Sequence, residues 1–441
     1  MQILLINPPN SGRSIPEEEY GIDSIKMIFR GEPLSLEVLA GNLEGHAVQI
    51  TDLKADPEAL DTYLATSGKP DIVGITGVTC EANAVLSLAK GLKKRYKNES
   101  QVPVIVVGGH HASCDPEYFN RSYIDYVVRG IAKQSFRELV DSLEKLRSSD
   151  SGAVKIPGVA AVTGSGPLQY IPRKYSSLDL VDQKPPRYDL VEKHRDKYVM
   201  SGVGGKIGFV STAFGCTHNC FFCSIPTLTG GKYISHSIDA AIRDMKCLEG
   251  IDLIRFVDAN TFGDTVLAHA FAKELVASGL NKKVVADVRA DTVVKNPELF
   301  QIWKEAGLMS VVIGFEEIAD NRLKKMNKKS SNVMNVAALK ILKEIGIKVI
   351  GDFIISPDYD NNDFENLTRF IDSHTIDLPV PSILTPIPGT PLYRQVKDKI
   401  KIHNLDYYTF SNAVTPTKLD TKVFYTQYSD LMKMLHKHIT N

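Results

Sequence analysis

Short apolar runs alternate with amphipathic segments along the first 150 residues of the chain. Runs rich in Val and Ile that are separated by helical patterns are typical of a parallel sheet with crossover helices. The predicted strands are 3–7, 48–53, 71–76, 102–107 and 124–128, and the predicted helices include 34–43, 82–92 and 136–146. The pattern therefore predicts an α/β, doubly wound, Rossmann-like domain, in which ligands bind outside the carboxyl ends of the strands.

The same alternation returns after Gly205 and continues through six β/α units. The predicted strands are 207–211, 253–257, 284–288, 310–313, 348–355 and 380–384, and the predicted helices include 238–247, 268–277, 297–306, 332–345 and 364–373. Six such units in succession indicate an open, partial (β/α)6 barrel whose functional groups lie at the carboxyl ends of the strands.

The two alternating regions are separated and followed by stretches of different character. Residues 151–203 are rich in Gly, Pro and Ser, which favours a connector with a small β-hairpin. The last residues carry one helical pattern, 426–438. The predicted organisation is a Rossmann-like domain at 1–150, a connector at 151–203, a partial barrel at 204–395 and a helical tail at 396–441.

The charge balance gives no reason to expect nucleic acid or an anionic membrane as a partner. The 441 residues contain 52 Lys and Arg and 52 Asp and Glu, so the formal net charge is zero. No apolar run reaches the roughly 20 residues that cross a bilayer. The amino terminus, MQILLINPPN, lacks the basic start of a signal peptide and instead fits a buried strand. We expect a cytoplasmic protein with no transmembrane segment and a small-molecule substrate, which the neutral charge allows to be lipophilic.

Three of the six cysteines fall within eight residues, directly after the first barrel strand. Cys216, Cys220 and Cys223 have the spacing C-x3-C-x2-C, and thiolates this close together suit zinc or an iron–sulfur cluster. A structural zinc site usually has four ligands in paired arrangements, and no second cysteine pair follows, so zinc would need His218. Three thiolates can instead hold three irons of a [4Fe–4S] cluster and leave the fourth iron open to a substrate or cofactor.

The cysteine segment, with Phe222 before its last cysteine, resembles the CxxxCxΦC signature of the radical SAM superfamily. The resemblance implies that Cys216, Cys220 and Cys223 hold a [4Fe–4S] cluster and that S-adenosylmethionine binds its fourth iron. It also implies that reductive cleavage yields methionine and a 5′-deoxyadenosyl radical, with the electron coming from an external reductant such as flavodoxin or ferredoxin. Phe222 is then expected to lie against the adenine.

Further segments of the barrel resemble the same family. They are Phe256-Val257-Asp258-Ala259-Asn260, Val288-Arg289-Ala290-Asp291, Ile313-Gly314-Phe315-Glu316, residues 323–328 (LKKMNK) and residues 385–392 (TPIPGTPL). The resemblance implies that Asp258, Arg289 and Glu316 bind the cofactor, since charged groups at strand ends suit the carboxylate, amino and ribose groups of S-adenosylmethionine. The alternative for Arg289 and Glu316 is a structural ion pair, and for Asp258 a helix cap.

The first 150 residues resemble the cobalamin-binding domain that often precedes this barrel. The resemblance lies in strand-end segments and implies a corrinoid site formed by Asn7, Pro8, Thr76, Gly77, Gly108, Gly109, Arg129 and Gly130. Small residues at these ends would let a flat corrin lie close to the backbone. No D-x-H-x-x-G motif is present, so no histidine is expected below the cobalt. His110 and His111 are candidate cobalt or metal ligands, and a polar turn after a buried strand explains them equally well.

One departure from the family bears on the choice among three functional hypotheses and favours the second. Where the branch usually has RGEGE, this chain reads Arg129-Gly130-Ile131-Ala132-Lys133, so two acids are missing. The first hypothesis is cobalamin-dependent methylation of an unactivated carbon by a radical SAM enzyme. The second is radical oxidation, hydroxylation or cyclisation of a tetrapyrrole-like or other lipophilic substrate without methyl transfer. The third is a non-catalytic corrinoid- or metal-binding carrier or sensor, which would not cleave S-adenosylmethionine.

Overall fold

The computed structural model describes residues 1–23, 29–148, 155–164, 166–180, 184–200, 205–374 and 376–435. The chain divides into two compact units. The first contains residues 1–12, 32–197 and 227–230, and the second contains residues 13–31, 198–226 and 231–441. The predicted boundaries at 150/151 and 203/204 lie outside the described residues, as does the end of the predicted tail helix, so the four-part division stays a prediction.

The first unit is built on a six-stranded sheet. Its strands are β1 (Gln2–Asn7), β2 (Ala47–Asp52), β3 (Ile72–Ile75), β4 (Val104–Val107), β5 (Tyr126–Val128) and β6 (Val159–Ala161). The order across the sheet is β2-β1-β3-β4-β5-β6, with the first five strands parallel and β6 antiparallel to β5. The predicted Rossmann-like fold is confirmed, and all five predicted strands are present.

The described residues of the connector form two short strands, β6 and Val199–Met200. Strand β6 pairs antiparallel with β5 and so covers an edge of the sheet. Val199–Met200 pairs antiparallel with Phe29–Arg30, and Val199 also bridges to Lys206, so the small hairpin of the connector stays a prediction. The longer helices of this unit are Leu34–Gly41, Ala59–Thr66, Ala82–Arg95, His110–Cys114 and Ala132–Ser148.

The strand order of the first unit places a ligand crevice next to β1. The chain passes from β1 to β2 on one side and then to β3 on the other side of β1, so the order reverses between β1 and β3. Ligands of open α/β sheets bind at such a reversal, outside the carboxyl ends of the strands. Asn7 ends β1, and Thr76 directly follows β3.

The second unit contains an open parallel sheet of six strands. They are β7 (Ile207–Val210), β8 (Leu253–Phe256), β9 (Lys283–Val288), β10 (Leu308–Glu316), β11 (Lys348–Ile355) and β12 (Leu378–Ile383). Each strand pairs in parallel with its neighbours in chain order, from β7 to β12. All six predicted strands are present, and the predicted partial barrel is confirmed.

Helices accompany this second sheet, and the longer ones are Ile238–Cys247, Thr265–Ala277, Pro297–Glu305, Asn332–Ile345, Asn361–His374 and Thr421–Leu435. Shorter helices are Ile15–Tyr20, Ala290–Lys295, Asp320–Lys325 and Pro391–Val396. An aromatic cluster packs helices against β8, with the ring of Trp303 edge-on to Phe256, Phe262 and Phe271. Within the described part of the chain, none of the helices combines the length and the apolar character that crossing a membrane requires.

Candidate functional site

The three clustered cysteines lie on a loop that follows β7 at the carboxyl end of the barrel sheet. The base of the loop is closed by two short strands, Ala213–Phe214 and Ile234–Ser235, which pair antiparallel. Gly215 directly precedes Cys216 and has a φ of 84°, a left-handed conformation that glycine adopts without steric cost. The chain therefore turns sharply at Gly215, directly before the first cysteine of the loop.

The thiols are packed closely enough to influence one another. Cys220 is buried, whereas Cys216 and Cys223 are half-buried, and the backbone N–H of Cys223 donates to the carbonyl of Cys220 at 3.1 Å. Burial raises the pKa of Cys220, and it raises the pKa of Cys223 to about 11, with the neighbouring thiols adding to both. A bound metal deprotonates a thiol outright, so these buried thiols suit metal ligation better than exposed nucleophilic chemistry.

The described residues contain no group of three or more His, Cys, Asp or Glu side chains placed to hold a metal ion together. One zinc ion requires its ligands to converge, whereas an iron–sulfur cluster gives each thiolate its own iron. His218 instead has its Nδ1 2.9 Å from the hydroxyl of Thr217. The zinc alternative therefore has no preformed ligand set in this part of the chain.

Two distant segments that the sequence analysis singled out are hydrogen-bonded to the cysteine loop. The N–H of Phe221 donates to the carbonyl of Met326 at 2.9 Å, and the N–H of Leu392 donates to the carbonyl of Phe221 at 3.1 Å. The side-chain amide of Asn327 donates to the carbonyl of Asn219 at 2.8 Å. The LKKMNK and TPIPGTPL segments thus hold the loop in place from two directions.

Phe222, within the loop, and Asn260, beside it, each have a side-chain group that could contact a bound ligand. Phe222 is half-buried. The Nδ2 of Asn260 lies 3.4 Å from the hydroxyl of Thr217, while its Oδ1 is buried and has no hydrogen-bond partner among the described residues. Because a buried polar atom is normally paired, this oxygen suits a donor from a bound molecule. Asn260 belongs to the Phe256–Asn260 motif, but the motif alone does not identify this residue as part of the site.

Asp258 braces the start of the loop. Its side chain is 3% exposed and accepts hydrogen bonds from the N–H of Thr212 at 2.7 Å, the hydroxyl of Thr212 and the N–H of Ala213 at 2.9 Å. Burial raises the pKa of Asp258 to about 6, against the lowering effect of these donors. The oxygens are thus used within the protein, and a direct contact with the cofactor stays a prediction.

Arg289 and Glu316 are joined through one residue that the sequence analysis did not select. The guanidinium of Arg289 donates to Asp291 at 2.9 Å and to the backbone carbonyl of Lys328 at 2.9 Å. The ammonium of Lys328 donates to Oε1 of Glu316 at 2.6 Å. All three residues are buried, which the isolated pattern of a RAD or a GFE segment could not reveal.

The predicted corrinoid residues converge at the carboxyl ends of the strands in the first unit. Asn7 is buried and donates to Asp52 at 2.8 Å, and Pro8 beside it is also buried. Gly109 has a φ of 92°, and a Cβ there would collide with the hydroxyl of Thr76 and would lie 2.8 Å from the backbone nitrogen of Gly77. Only glycine fits, so the loops after β3 and β4 approach each other closely.

Ser113 and Tyr175 connect the remaining predicted residues. The Ser113 hydroxyl donates to the carbonyl of Gly109 and accepts from the N–H of Gly130, both at 2.8 Å. The hydroxyl of Tyr175 accepts from the N–H of Ile131 at 3.1 Å and donates to the carbonyl of Arg129 at 3.2 Å. The segment that lacks the family's two acids is thus held by a connector tyrosine, which the sequence analysis missed because it took the connector for a linker.

The same edge offers features that fit a polar, flat ligand. A Cβ on Gly108 would have only ordinary contacts, at 3.8 Å and beyond, so its surroundings are open. The hydroxyl of Thr79 is buried without a hydrogen-bond partner among the described residues, and an amide of a corrin could supply one. His111 is turned into the core, edge-on to Tyr118 and Phe119, and burial lowers its pKa to about 3. It is not placed as an exposed ligand.

Two family models match the sequence. Residues 210–371 match the Radical SAM superfamily, and residues 24–140 match the B12 binding domain. A hopanoid C-3 methylase of Methylococcus capsulatus is 28% identical over 93% of this chain and 78% of its own length. An uncharacterized methyltransferase of Pyrococcus horikoshii is 31% identical over 89% of this chain and 82% of its own length.

Among solved structures, the radical S-adenosylmethionine methyltransferase TsrM of Kitasatospora setae, determined with cobalamin and a [4Fe–4S] cluster bound, has the same fold. The TM-score is 0.74, and the match covers 99% of this chain and 92% of that protein at 16% identity. The likeness extends over both units.

Proposed function

Because this chain belongs to the radical SAM superfamily and carries a B12-binding domain before its barrel, we propose that it methylates an unactivated carbon of a small, lipophilic molecule. The family membership confirms the enzyme class and the expected cofactors, which are a [4Fe–4S] cluster, S-adenosylmethionine and cobalamin. When bound, these groups supply the electron for cleavage of S-adenosylmethionine and the carrier for the methyl group.

The chain's own residues hold and shield these groups in the proposal. Cys216, Cys220 and Cys223 would ligate the cluster, and the bonds from Met326 and Leu392 to the loop backbone would fix its position. Phe222 would cover one side of the bound S-adenosylmethionine. The buried Arg289 and Glu316 would bind its polar end, with Lys328 setting the position of both side chains.

The proposal depends most on the hydrogen bonds that distant segments of the chain make with the backbone of the cysteine loop. Segments separated by more than a hundred residues donate to or accept from its backbone at 2.8–3.1 Å. A linker that merely contained three cysteines would have no need of this support. The hopanoid methylase, which matches along nearly the whole chain, supports a lipophilic substrate.

The proposal is tested with reconstituted protein, S-adenosylmethionine bearing a deuterated methyl group, a low-potential reductant and extracts containing hopanoid lipids or tetrapyrroles. We expect 5′-deoxyadenosine and a product that carries the labelled methyl group. Cys223→Ala should abolish both. Cys247→Ala is the matched control, because Cys247 is an exposed thiol outside the loop, and it should retain both.

The second candidate, oxidation or cyclisation of a tetrapyrrole-like substrate, is favoured by Ile131, Ala132 and Lys133, which replace the acidic part of the family's RGEGE segment. The same experiment separates the alternatives. Formation of 5′-deoxyadenosine with an unlabelled, oxidised product would support this candidate. No 5′-deoxyadenosine at all would support a carrier or sensor.

Either flavodoxin or ferredoxin is the proposed physiological electron donor.

A further inference from the structure

Glu316 has an unusual backbone that directs its side chain over a glycine. Its φ is 64°, in the left-handed region that non-glycine residues rarely adopt, and a bulge interrupts the pairing of β10 with β11 between Gly314 and Glu316. A Cβ on Gly314 would collide with the Glu316 carboxylate and lie 2.9 Å from the ammonium of Lys328. The Glu316–Lys328 pair therefore lies over Gly314.

Asp352 shares this face of the sheet. It is the register partner of Gly314 in the parallel ladder between β10 and β11. Register partners on adjacent strands project to the same face and lie about 4.8 Å apart, so the Asp352 side chain stands beside the pair. Asp352 makes no hydrogen bond or ion pair with any other described residue.

The other charged groups that face Asp352 are already matched. Asp287 on β9 forms an ion pair with Arg255 on β8, and Glu316 pairs with Lys328. Three acids thus share two bases, which leaves Asp352 as the acid without a partner. Burial, followed by the negative charges of Glu316 and Asp287, raises the pKa of Asp352 to about 8.

We propose that Asp352 is a positioning residue for S-adenosylmethionine. When Asp352 is a neutral acid, the ammonium of Lys328 stays bound to the carboxylate of Glu316. When Asp352 is a carboxylate, it attracts the ammonium of Lys328 away from Glu316. The inference rests on the proposed role of Glu316 in binding that molecule. Displacement of the Lys328 ammonium would remove its hydrogen bond to Glu316, whereas the backbone carbonyl of Lys328 would still accept from Arg289.

The test is the pH dependence of S-adenosylmethionine binding to the cluster-reconstituted protein, measured by equilibrium titration from pH 7 to 9. If only the form with neutral Asp352 binds, the dissociation constant rises about tenfold over this range, because the competent fraction falls as pH passes about 8. Asp352→Asn mimics the neutral acid and should bind with a flat profile. Asp377→Asn, which alters a carboxylate that accepts from the N–H of Val349 near the start of β11, should keep the wild-type profile.

Thermal unfolding of the protein without cofactors supplies an independent readout. The folded protein holds the Asp352 proton up to about pH 8, whereas the unfolded chain releases it near 3.8. Stability from this group is therefore complete below pH 3.8 and is lost as pH rises through 8. The loss between pH 5 and 8 should be smaller in Asp352→Asn.

The outcomes are distinguishable. A wild-type decline that disappears in Asp352→Asn supports the inference. An equal decline in both proteins, or a flat wild-type profile with measurable binding, overturns it and leaves the proposed function intact. No binding of S-adenosylmethionine at any pH overturns the proposed function and this inference together.

Discussion

The backbone carbonyl of Lys328 accepts a hydrogen bond from the guanidinium of Arg289 at 2.9 Å. The ammonium of the same lysine binds Glu316 at 2.6 Å, so a single residue fixes two predicted contacts of S-adenosylmethionine through different atoms. The backbone bond persists when the side chain is changed. The two functions of Lys328 can therefore be separated by mutation.

Lys328→Met should destabilise the protein by about 3 kcal/mol, since it leaves the buried Glu316 carboxylate without its cation. Chemical denaturation measures the loss. Lys324→Met, at an exposed position of the same segment, should change stability by less than about 0.5 kcal/mol. Adding Glu316→Gln to Lys328→Met should recover part of the loss, because the two residues are coupled. Equal stability of the two lysine variants would contradict the burial argument.

Asp258→Ala should lower the free energy of unfolding by about 3 kcal/mol, because donors from Thr212 and Ala213 lose their acceptor. It should also lower the iron and sulfide content of the protein after reconstitution. Asp264→Ala is the control. It removes the cap of helix Thr265–Ala277, should cost about 1 kcal/mol, and should leave iron content unchanged. Full iron loading of Asp258→Ala would show that the brace is dispensable.

Gly130→Ala should be far more damaging than an ordinary substitution at a left-handed glycine. Gly130 has a φ of 71°, and a Cβ there would collide with the hydroxyl of Tyr175. Gly164 has a φ of 73° with open space around it, so Gly164→Ala should cost only about 1 kcal/mol. Unfolding should show an additional loss of about 2 kcal/mol for Gly130→Ala, and adding Tyr175→Ala should relieve the collision. Identical losses in both glycine variants would refute the proposed close packing.

Phe410→Gly should be more stable than Phe410→Ala by about 1 kcal/mol, because residue 410 has a φ of 63° and both variants lose the same ring, which is 52% exposed. The carbonyl of Phe410 would still accept from the N–H of Ile383 at 2.6 Å. Alanine retains the backbone strain that glycine relieves. A denaturation midpoint for the glycine variant that lies below that of the alanine variant would argue against strain at this position.

The strands of both sheets could be predicted from the sequence because buried parallel strands appear as continuous apolar runs. Residues 348–355 were predicted with the same bounds that β11 has in the structure. The cysteine loop was also placed correctly after β7, since the spacing of its thiols is local information. The parallel arrangement of both sheets followed from the alternation of strands and helices. The order of the strands across the first sheet was not predicted and is known from the structure.

The partners of individual side chains could not be predicted. Asp258 turns its oxygens towards Thr212, and the sequence alone does not determine whether a strand-end carboxylate faces a ligand or the backbone. The role of Tyr175 depends on the path of the connector, which composition described only as loop. Asp352 acquires its importance from a register with Gly314 that no sequence pattern contains.

The central claim is most directly tested by the corrinoid and cobalt content of anaerobically purified protein after reconstitution with iron, sulfide and hydroxocobalamin. A cobalamin-dependent enzyme should retain about one corrinoid per chain together with its cluster. A protein with an intact cluster and no retained corrinoid would contradict methyl transfer from cobalamin and would favour the oxidative alternative.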